Sequence, residues 1–232
     1  MILVLAGTNE GRKMAVALEQ EGHKVIASSA TTYGGEILRR EFSGEISSRP
    51  LDLEEMVTLI KSRSISRVVD ATHPYAVDVS ANAREACRRT NIAYERFERA
   101  ETELADRAGV IAVTGIEEAL SIAASFEGII FLTVGSSKLE LYTAALGTDR
   151  LVVRILPLEA SLKKCLSLGL PPEKIIAMQG PFDEELNGVL FRRYNASLII
   201  SKDSGPTGGT AEKIKAAKSL SIPIILISRP PQ

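Results

Sequence analysis

Tryptophan is missing from the chain, and histidine and cysteine occur only twice each. Two scattered histidines, His23 and His73, and two scattered cysteines, Cys87 and Cys165, do not make a metal constellation. The cysteines fall in separate helix-like segments, the pattern of reduced thiols in a cytoplasmic protein rather than of a disulfide framework. Aromatic residues make up 5% of the chain and do not interleave with a basic patch, and the formal charge is −1. That balance gives no electrostatic basis for nucleic-acid or membrane binding. Long apolar runs are also lacking. Met1–Ala6 has no basic flank and reads as too short for a leader peptide or a membrane span. There is no G-x-S-x-G elbow for a Ser-His-Asp hydrolase, and Ser204 is followed by Gly-Pro rather than by a helix.

What is present is the composition of an ordinary globular protein, 45% hydrophobic and 25% charged over 232 residues. Strand-like apolar runs alternate with helical periodicities along its length. Strands are expected at Met1–Ala6, Lys24–Ser28, Arg67–Ala71, Ala93–Phe97, Val110–Val113, Ile129–Val134, Leu151–Ile155, Lys174–Met178, Leu198–Ile200 and Pro223–Ile227. Helix signals lie between them. Met14, Ala15 and Leu18 share a face before Gly22, and Asp52 with Glu55 reads as a capping box. Thr114 with Glu117 reads as another, and Ile214 with Ala217 mark one face of the last helix. Such alternation predicts an α/β protein with two Rossmann-like domains and mainly parallel sheets. The polar stretch Phe97–Gly109 divides them, giving domains 1–103 and 104–232, with no sequence repeat between the halves.

The loops with unusual chemistry all follow strands: Gly7–Arg12, Asp70–Tyr75, Gly135–Lys138, Gln179–Phe182 and Lys202–Gly209. In open α/β sheets ligands bind at the carboxyl ends of strands, so these loops are expected to face one cleft between the domains. Lys202-Asp203-Ser204-Gly205-Pro206-Thr207-Gly208-Gly209 joins a strand to a helix and packs three glycines, two hydroxyls and an ion pair into eight residues. Backbone N–H groups at such a helix start favour anions. The spacing Gly7–Gly11 does not fit the dinucleotide fingerprint. The second strand ends in Ser28 and Ser29 with Thr31, Thr32, Arg39 and Arg40 beyond and no acid, which leaves room for a 2′-phosphate and leans towards NADPH. Few protein groups are able to move protons here, which suits a reaction whose hard step a cofactor carries.

Taken together, Gly7-Thr8-Asn9-Glu10-Gly11-Arg12, Asp70-Ala71-Thr72-His73-Pro74-Tyr75-Ala76, Gln179-Gly180-Pro181-Phe182 and Lys202-Asp203-Ser204-Gly205 with Gly208-Gly209 resemble the precorrin-6A reductase family. That family includes the cobalt-precorrin-6A reductases of anaerobic cobalamin synthesis. The resemblance spans the chain and implies NADPH- or NADH-dependent reduction of one ring double bond of a corrin precursor. It makes His73, Tyr75, Lys202 and Asp203 candidate catalytic residues. Gly7, Thr8, Asn9, Glu10, Gly11, Ser29 and Thr72 become cofactor contacts. Gly135, Lys138, Gln179, Ser204, Gly205, Gly208 and Gly209 become contacts for the small-molecule macrocycle, whose carboxylate arms also suit Arg154. Two other classes fit the same residues: a cofactor-free tetrapyrrole enzyme of the uroporphyrinogen III synthase kind, and a non-enzymatic two-domain ligand-binding protein.

Overall fold

A computed structural model of the chain describes residues 1–97 and 109–229, the side chain of Pro206 excepted. The described residues fall into two compact units, 1–97 and 109–229. The boundary expected at 103/104 lies outside them.

The first unit holds β1 (Ile2–Leu5), β2 (Val25–Ser28), β3 (Glu45–Ser47), β4 (Arg67–Asp70) and β5 (Ala93–Arg96). They pair in the order β3-β2-β1-β4-β5, every pair parallel. A sheet of this kind is covered on both faces, and alternate residues of each strand serve different helices. Ile2, Val4 and Ala6 pack with Ala15 of α1 (Asn9–Gln20) and Leu38 of α2 (Thr32–Leu38). Leu3 and Leu5 pack instead with Met56 and Ile60 of α3 (Leu53–Ser62) and Ala83 and Cys87 of α4 (Val77–Thr90). Fully burying each such aliphatic side chain is worth about 1.5–3 kcal/mol. The capping box opens α3 as expected, with Asp52 Oδ1 accepting from Glu55 N and Glu55 Oε2 from Asp52 N.

The second unit holds β6 (Val110–Val113), β7 (Ile129–Leu132), β8 (Leu151–Ile155), β9 (Ile175–Ala177), β10 (Ala196–Lys202) and β11 (Ile224–Ile227). Their order is β6-β11-β10-β7-β8-β9, again all parallel. One face packs Phe131, Val152, Ile199 and Leu226 against Phe191 of α8 (Glu184–Arg193) and Ile214 and Ala217 of α9 (Thr210–Ser219). Helices α5 (Ile116–Ala123) and α6 (Leu139–Leu146) pack together, and α7 (Glu159–Ser167) stops just before Gly169 at φ +80.

Three features depart from the sequence expectations. The elements β3, α2 and α6 were not anticipated, and the N-cap of α5 is Gly115 rather than Thr114. Thr114 does bond forward, but its N and Oγ1 both donate to Glu118 Oε2, not to Glu117. Arg39 and Arg40 follow the carboxyl end of α2, a seven-residue helix that the sequence did not lead one to expect between the end of β2 and these arginines. Among the described residues no helix is long and apolar enough to cross a membrane.

Read from β9, the second sheet repeats the strand order of the first, with β6 added at the far edge. The central pairs β1–β4 and β7–β10 are therefore the switch points, where successive connections leave in opposite directions. The loops after these four strands are four of the five singled out above.

Gly11 shows how tightly the first switch point is built. A Cβ there would lie 2.8 Å from Ala6 Cα and 3.1 Å from Ala71 O, whereas one on Gly7 would meet nothing within 4 Å. Gly11→Ala is expected to cost about 1–3 kcal/mol through overpacking, and Gly7→Ala no more than about 0.5 kcal/mol. Thermal unfolding of the two variants side by side checks this, and equal midpoints would refute it.

Candidate functional site

At the first switch point Thr8 is the N-cap of α1. Its Oγ1 accepts from Gly11 N at 3.1 Å and donates to Ala71 O at 2.8 Å. One buried hydroxyl thus ties the β1 loop to the β4 loop. Gly7 is exposed, Asn9 Oδ1 accepts from Arg12 Nη2, and Glu10 lies in the first turn of α1. Ser29, at the end of β2, is buried, and its Oγ donates to Thr31 O at 3.3 Å. It shapes the entry to α2.

The loop after β4 hangs on Asp70, whose side chain is fully buried. Its Oδ1 accepts from Thr72 N at 3.0 Å and Thr72 Oγ1 at 2.8 Å, and its Oδ2 from Tyr94 Oη at 2.8 Å. Arg96 lies 2.6 Å from Oδ1 and also donates to Thr72 Oγ1 at 2.8 Å and Ser80 Oγ at 3.2 Å. Burial alone would raise the Asp70 pKa, but hydrogen bonds from Ser80 and Thr72 and the Arg96 cation hold it below the usual carboxylate value. The same burial and the facing carboxylate push Tyr94 up to about 12. Thr72, expected as a cofactor contact, therefore spends its hydroxyl inside this network. Sequence reasoning did not mark Asp70, Tyr94, Arg96 or Ser80 as a unit; the only trace is a polar residue at the end of each of two adjacent strands.

His73 and Tyr75 project from the loop that this network braces. Both are half-buried, with ring centroids 5.5 Å apart, and His73 Nδ1 accepts from Tyr75 N at 3.3 Å. An Nδ1 that accepts leaves the proton of the neutral imidazole on Nε2.

At the second switch point Lys202 closes β10. Burial lowers its pKa, and the cation of Lys138, on the loop after β7, lowers it further. Gly135, in that same loop, has φ +75 and open space around a Cβ position. Asp203 is 9% exposed, and its Oδ1 accepts from Gly205 N at 3.0 Å with Arg229 4.0 Å away. Ser204 N donates to Thr210 Oγ1 at 3.1 Å. Gly208 leaves no room for a Cβ, which would sit 2.2 Å from Ser204 Cβ, and Gly209 adopts a left-handed φ of +66. Both glycines thus have a reason in the turn itself. The loop after β9 reaches this place too: a Cβ on Gly209 would lie 3.6 Å from Phe182 O and from Pro181 Cβ. Gln179, at the start of that loop, is exposed.

Beneath Phe182 lies a group of buried cations. Arg154 on β8 is 7% exposed, its Nη1 donates to Asn187 Oδ1 at 2.8 Å, and its guanidinium carbon sits 4.2 Å from the Phe182 ring centroid. Lys213 on α9 is 6% exposed, and its Nζ donates to Ser201 Oγ at 3.3 Å. Burial takes Arg154 down to about 10. Burial takes Lys213 to about 8, with the Arg154 charge adding to the push and Asp203 and Glu212 opposing it. Lys213 escaped the sequence reading, although Thr210, Lys213, Ile214 and Ala217 fall at the spacing of one helix face, which places a lysine on the core side.

Two doubly wound parallel sheets, each with polar loops at its switch point, define a Rossmann-like ligand-binding protein of two units. The chain belongs to the precorrin-6x reductase CbiJ/CobK family, whose sequence model matches residues 1–232. It is 38% identical over 234 residues to a cobalt-precorrin-6A reductase of Priestia megaterium, covering 99% of this chain and 91% of that protein. It is 38% identical over 233 residues to the cobalt-precorrin-6A reductase of Methanothermobacter thermautotrophicus, covering 99% and 76%. The precorrin-6A reductase of Rhodobacter capsulatus is 30% identical over 237 residues, covering 99% and 88%. A solved structure described as CobK precorrin-6A reductase superposes with a TM-score of 0.77 at 27% identity, over 99% of this chain and 88% of that one.

The Asp70 network makes a pH-dependent contribution to stability. Its folded pKa lies below the unfolded value of about 3.9, so the contribution is complete above that pH and is lost as pH falls through the folded pKa. Asp70→Asn removes the buried carboxylate charge that Thr72, Tyr94 and Arg96 are arranged around, at a cost of about 3–5 kcal/mol near neutrality. Midpoints measured from pH about 7 to about 2 should converge at the acid end; a constant gap would refute the linkage.

Proposed function

We propose that the chain is a nicotinamide-dependent reductase that adds a hydride and a proton across one ring double bond of precorrin-6A or its cobalt complex, giving the 6B form. The observation that carries this reading is the family match along the entire chain. Several relatives, including the two at 38% identity, are named for the cobalt substrate, which favours that form. An oxidoreductase of cobalamin synthesis also suits a protein with few proton-moving side chains.

The residues of the first switch point fit a nucleotide. A Cβ on Gly7 would meet open space, so an anion is able to approach that backbone closely, and the N-terminus of the twelve-residue α1 follows at once. Gly7, Thr8, Asn9, Glu10 and Gly11 are the residues proposed to hold the cofactor, with Thr72 bracing rather than touching it. A reduced nicotinamide supplies the hydride. The second unit is proposed to take the macrocycle, whose carboxylate arms match Lys138, Lys202 and the backbone of Gly205–Gly209.

Among the candidate proton donors, Lys202 is favoured. Its ammonium is half-buried and carries a lowered pKa, which eases proton release from Nζ. His73, with its imidazole proton on Nε2, suits a hydrogen-bond donor that orients the ligand, and Tyr75 supports its ring. Asp203 is committed to Gly205 N and Arg229 and acts on loop shape.

The test is oxidation of NADPH and of NADH with precorrin-6A and with cobalt-precorrin-6A, compared side by side. Oxidation should require the macrocycle, and Lys202→Met should lower kcat by about 10²–10⁴ while nucleotide affinity stays within twofold, roughly. No oxidation with either macrocycle would overturn the reading, and nucleotide-free turnover would select the uroporphyrinogen III synthase kind of enzyme instead.

A further inference from the structure

We infer that Arg96 is a positioning residue: its guanidinium clamps both ends of the loop that carries His73 and Tyr75, and so fixes the direction in which His73 meets the ligand. This rests on the reading above, in which His73 orients the ligand, and names the side chain that aims it.

The loop leaves β4 after Asp70 and enters α4 at Val77. Helices α1, α2, α3 and α8 each start under a side-chain cap, from Thr8, Thr31, Asp52 and Asp183. Ala76, ahead of α4, makes no such bond, so this helix start depends on contacts made further in. Arg96, at the end of β5, supplies one. Its Nη1 lies 2.6 Å from Asp70 Oδ1 and donates to Thr72 Oγ1 at 2.8 Å and to Ser80 Oγ at 3.2 Å. Thr72 immediately precedes His73, and Ser80 is the fourth residue of α4. Ser80 Oγ also lies 3.4 Å from Thr72 Oγ1, so hydroxyls from the two ends of the loop meet at the cation. A side chain from the neighbouring strand therefore grips the loop on either side of His73 and Tyr75.

Between those grips the turn closes on itself. Ala76 N donates to His73 O at 2.8 Å, Ser80 N to Ala76 O at 3.3 Å and Tyr75 N to His73 Nδ1 at 3.3 Å. The last of these bonds keeps the neutral imidazole's proton on Nε2. The donor that His73 presents thus depends on the backbone of Tyr75 staying where it is. The Arg96 side chain is 11% exposed and that of Asp70 is fully buried, so solvent and salt screen the pair little. Serine is a poorer helix former than alanine, and within α4 the Ser80 hydroxyl is turned to the clamp rather than to the helix.

The chain has two histidines, and the exposed His23 serves as an internal reference for His73. Ring-nitrogen NMR spectra are recorded on ligand-free wild type, Ser80→Ala and Arg96→Met at a pH where the imidazoles are neutral. The two His73 nitrogens should give the widely split signals of the Nε2–H tautomer in the wild type. In both variants the split should narrow as the other tautomer gains population, with the His23 signals unmoved. Ser80→Ala keeps the Arg96–Asp70 pair and should melt within about 2 °C of wild type, so the test survives if Arg96→Met fails to fold. Reduction of precorrin-6A and of cobalt-precorrin-6A is then measured for each variant, alone and combined with His73→Ala. Beside His73, Ser80→Ala should lower kcat/KM about 10-fold and Arg96→Met about 100-fold. With His73 already alanine, either change should cost less than about threefold. Unchanged His73 signals in folded Ser80→Ala would overturn the clamp whatever the enzyme does. So would equal rate losses with and without His73, which would leave Arg96 a part of the scaffold alone. Wild-type protein that reduces neither macrocycle removes the reading above, and the histidine spectra then decide the clamp by themselves.

Discussion

Parallel strands cannot be joined by a tight hairpin; each must return through a crossover that covers a face of the sheet. All described strand pairs here are parallel. With both faces given over to helix packing, Leu3, Val4, Ile199 and Ile200 are left wholly enclosed, and the central strands offer no solvent-facing interior where polar chemistry is cheap to keep. The chemistry moves to the ends. It concentrates at the carboxyl ends of the central strands, because there alone the connections on either side diverge and leave backbone groups uncovered.

The two units obey that constraint in the same order but with different fastenings. In the first, a single threonine hydroxyl joins the neighbouring loops, with Thr8 donating to Ala71 O while it caps α1. In the second, Thr133 N donates to Ile200 O across the central strand pair, and Thr210 of α9 receives Ser204 N from the loop before it. The first arrangement leaves a helix start beside an exposed glycine. The second leaves two lysines, Lys138 and Lys202, at the switch point. A neutral cradle and a cationic rim suit different ligands, which is the basis of the division of roles proposed for the two units.

The alternation of apolar runs and helical periods was legible because each central strand is enclosed on both faces and so reads as an unbroken apolar stretch. The strand β3 is not so enclosed; Glu45 and Ser47 flank a single isoleucine at the sheet edge. Its helix partner α2 carries two adjacent glycines, each about 1 kcal/mol poorer than alanine in a helix. They are there because the helix start packs hard on Ser29 and Ser48, a tertiary fact invisible in the local sequence. Repetition of the strand order was hidden for a similar reason: β6 is the first strand of the second unit but sits at the edge of its sheet, so the halves do not align strand for strand. Loop positions were readable; the contacts that brace the loops were not. The hydroxyl of Thr72 is used against Asp70 and the missing Cβ of Gly208 against Ser204, neither of which the local sequence announces.

Buried charge separates scaffold from site more sharply than any motif does. Asp70 is enclosed as completely as a leucine, yet Thr72, Tyr94 and Arg96 satisfy both of its oxygens, and its pKa falls despite burial. That is a charge the fold has paid for in full. Arg154 and Lys213 are nearly as enclosed, but their partners are an amide and a hydroxyl, and both pKa values are driven towards the neutral form. A protein under selection for stability alone has an inexpensive remedy, since an apolar side chain of similar length in place of either cation removes the penalty. The two cations are instead met by neutral partners, Asn187 and Ser201, with Asp203 and Glu212 offsetting the Lys213 charge in part. A sequence records only that an arginine interrupts an apolar strand and a lysine occupies a core-facing helix position. How such a residue is answered depends on what the neighbouring elements bring to it: here Asn187 and Ser201 bring neutral dipoles and Phe182 a ring face, while the carboxylates of Asp203 and Glu212 counter part of the burial cost on Lys213.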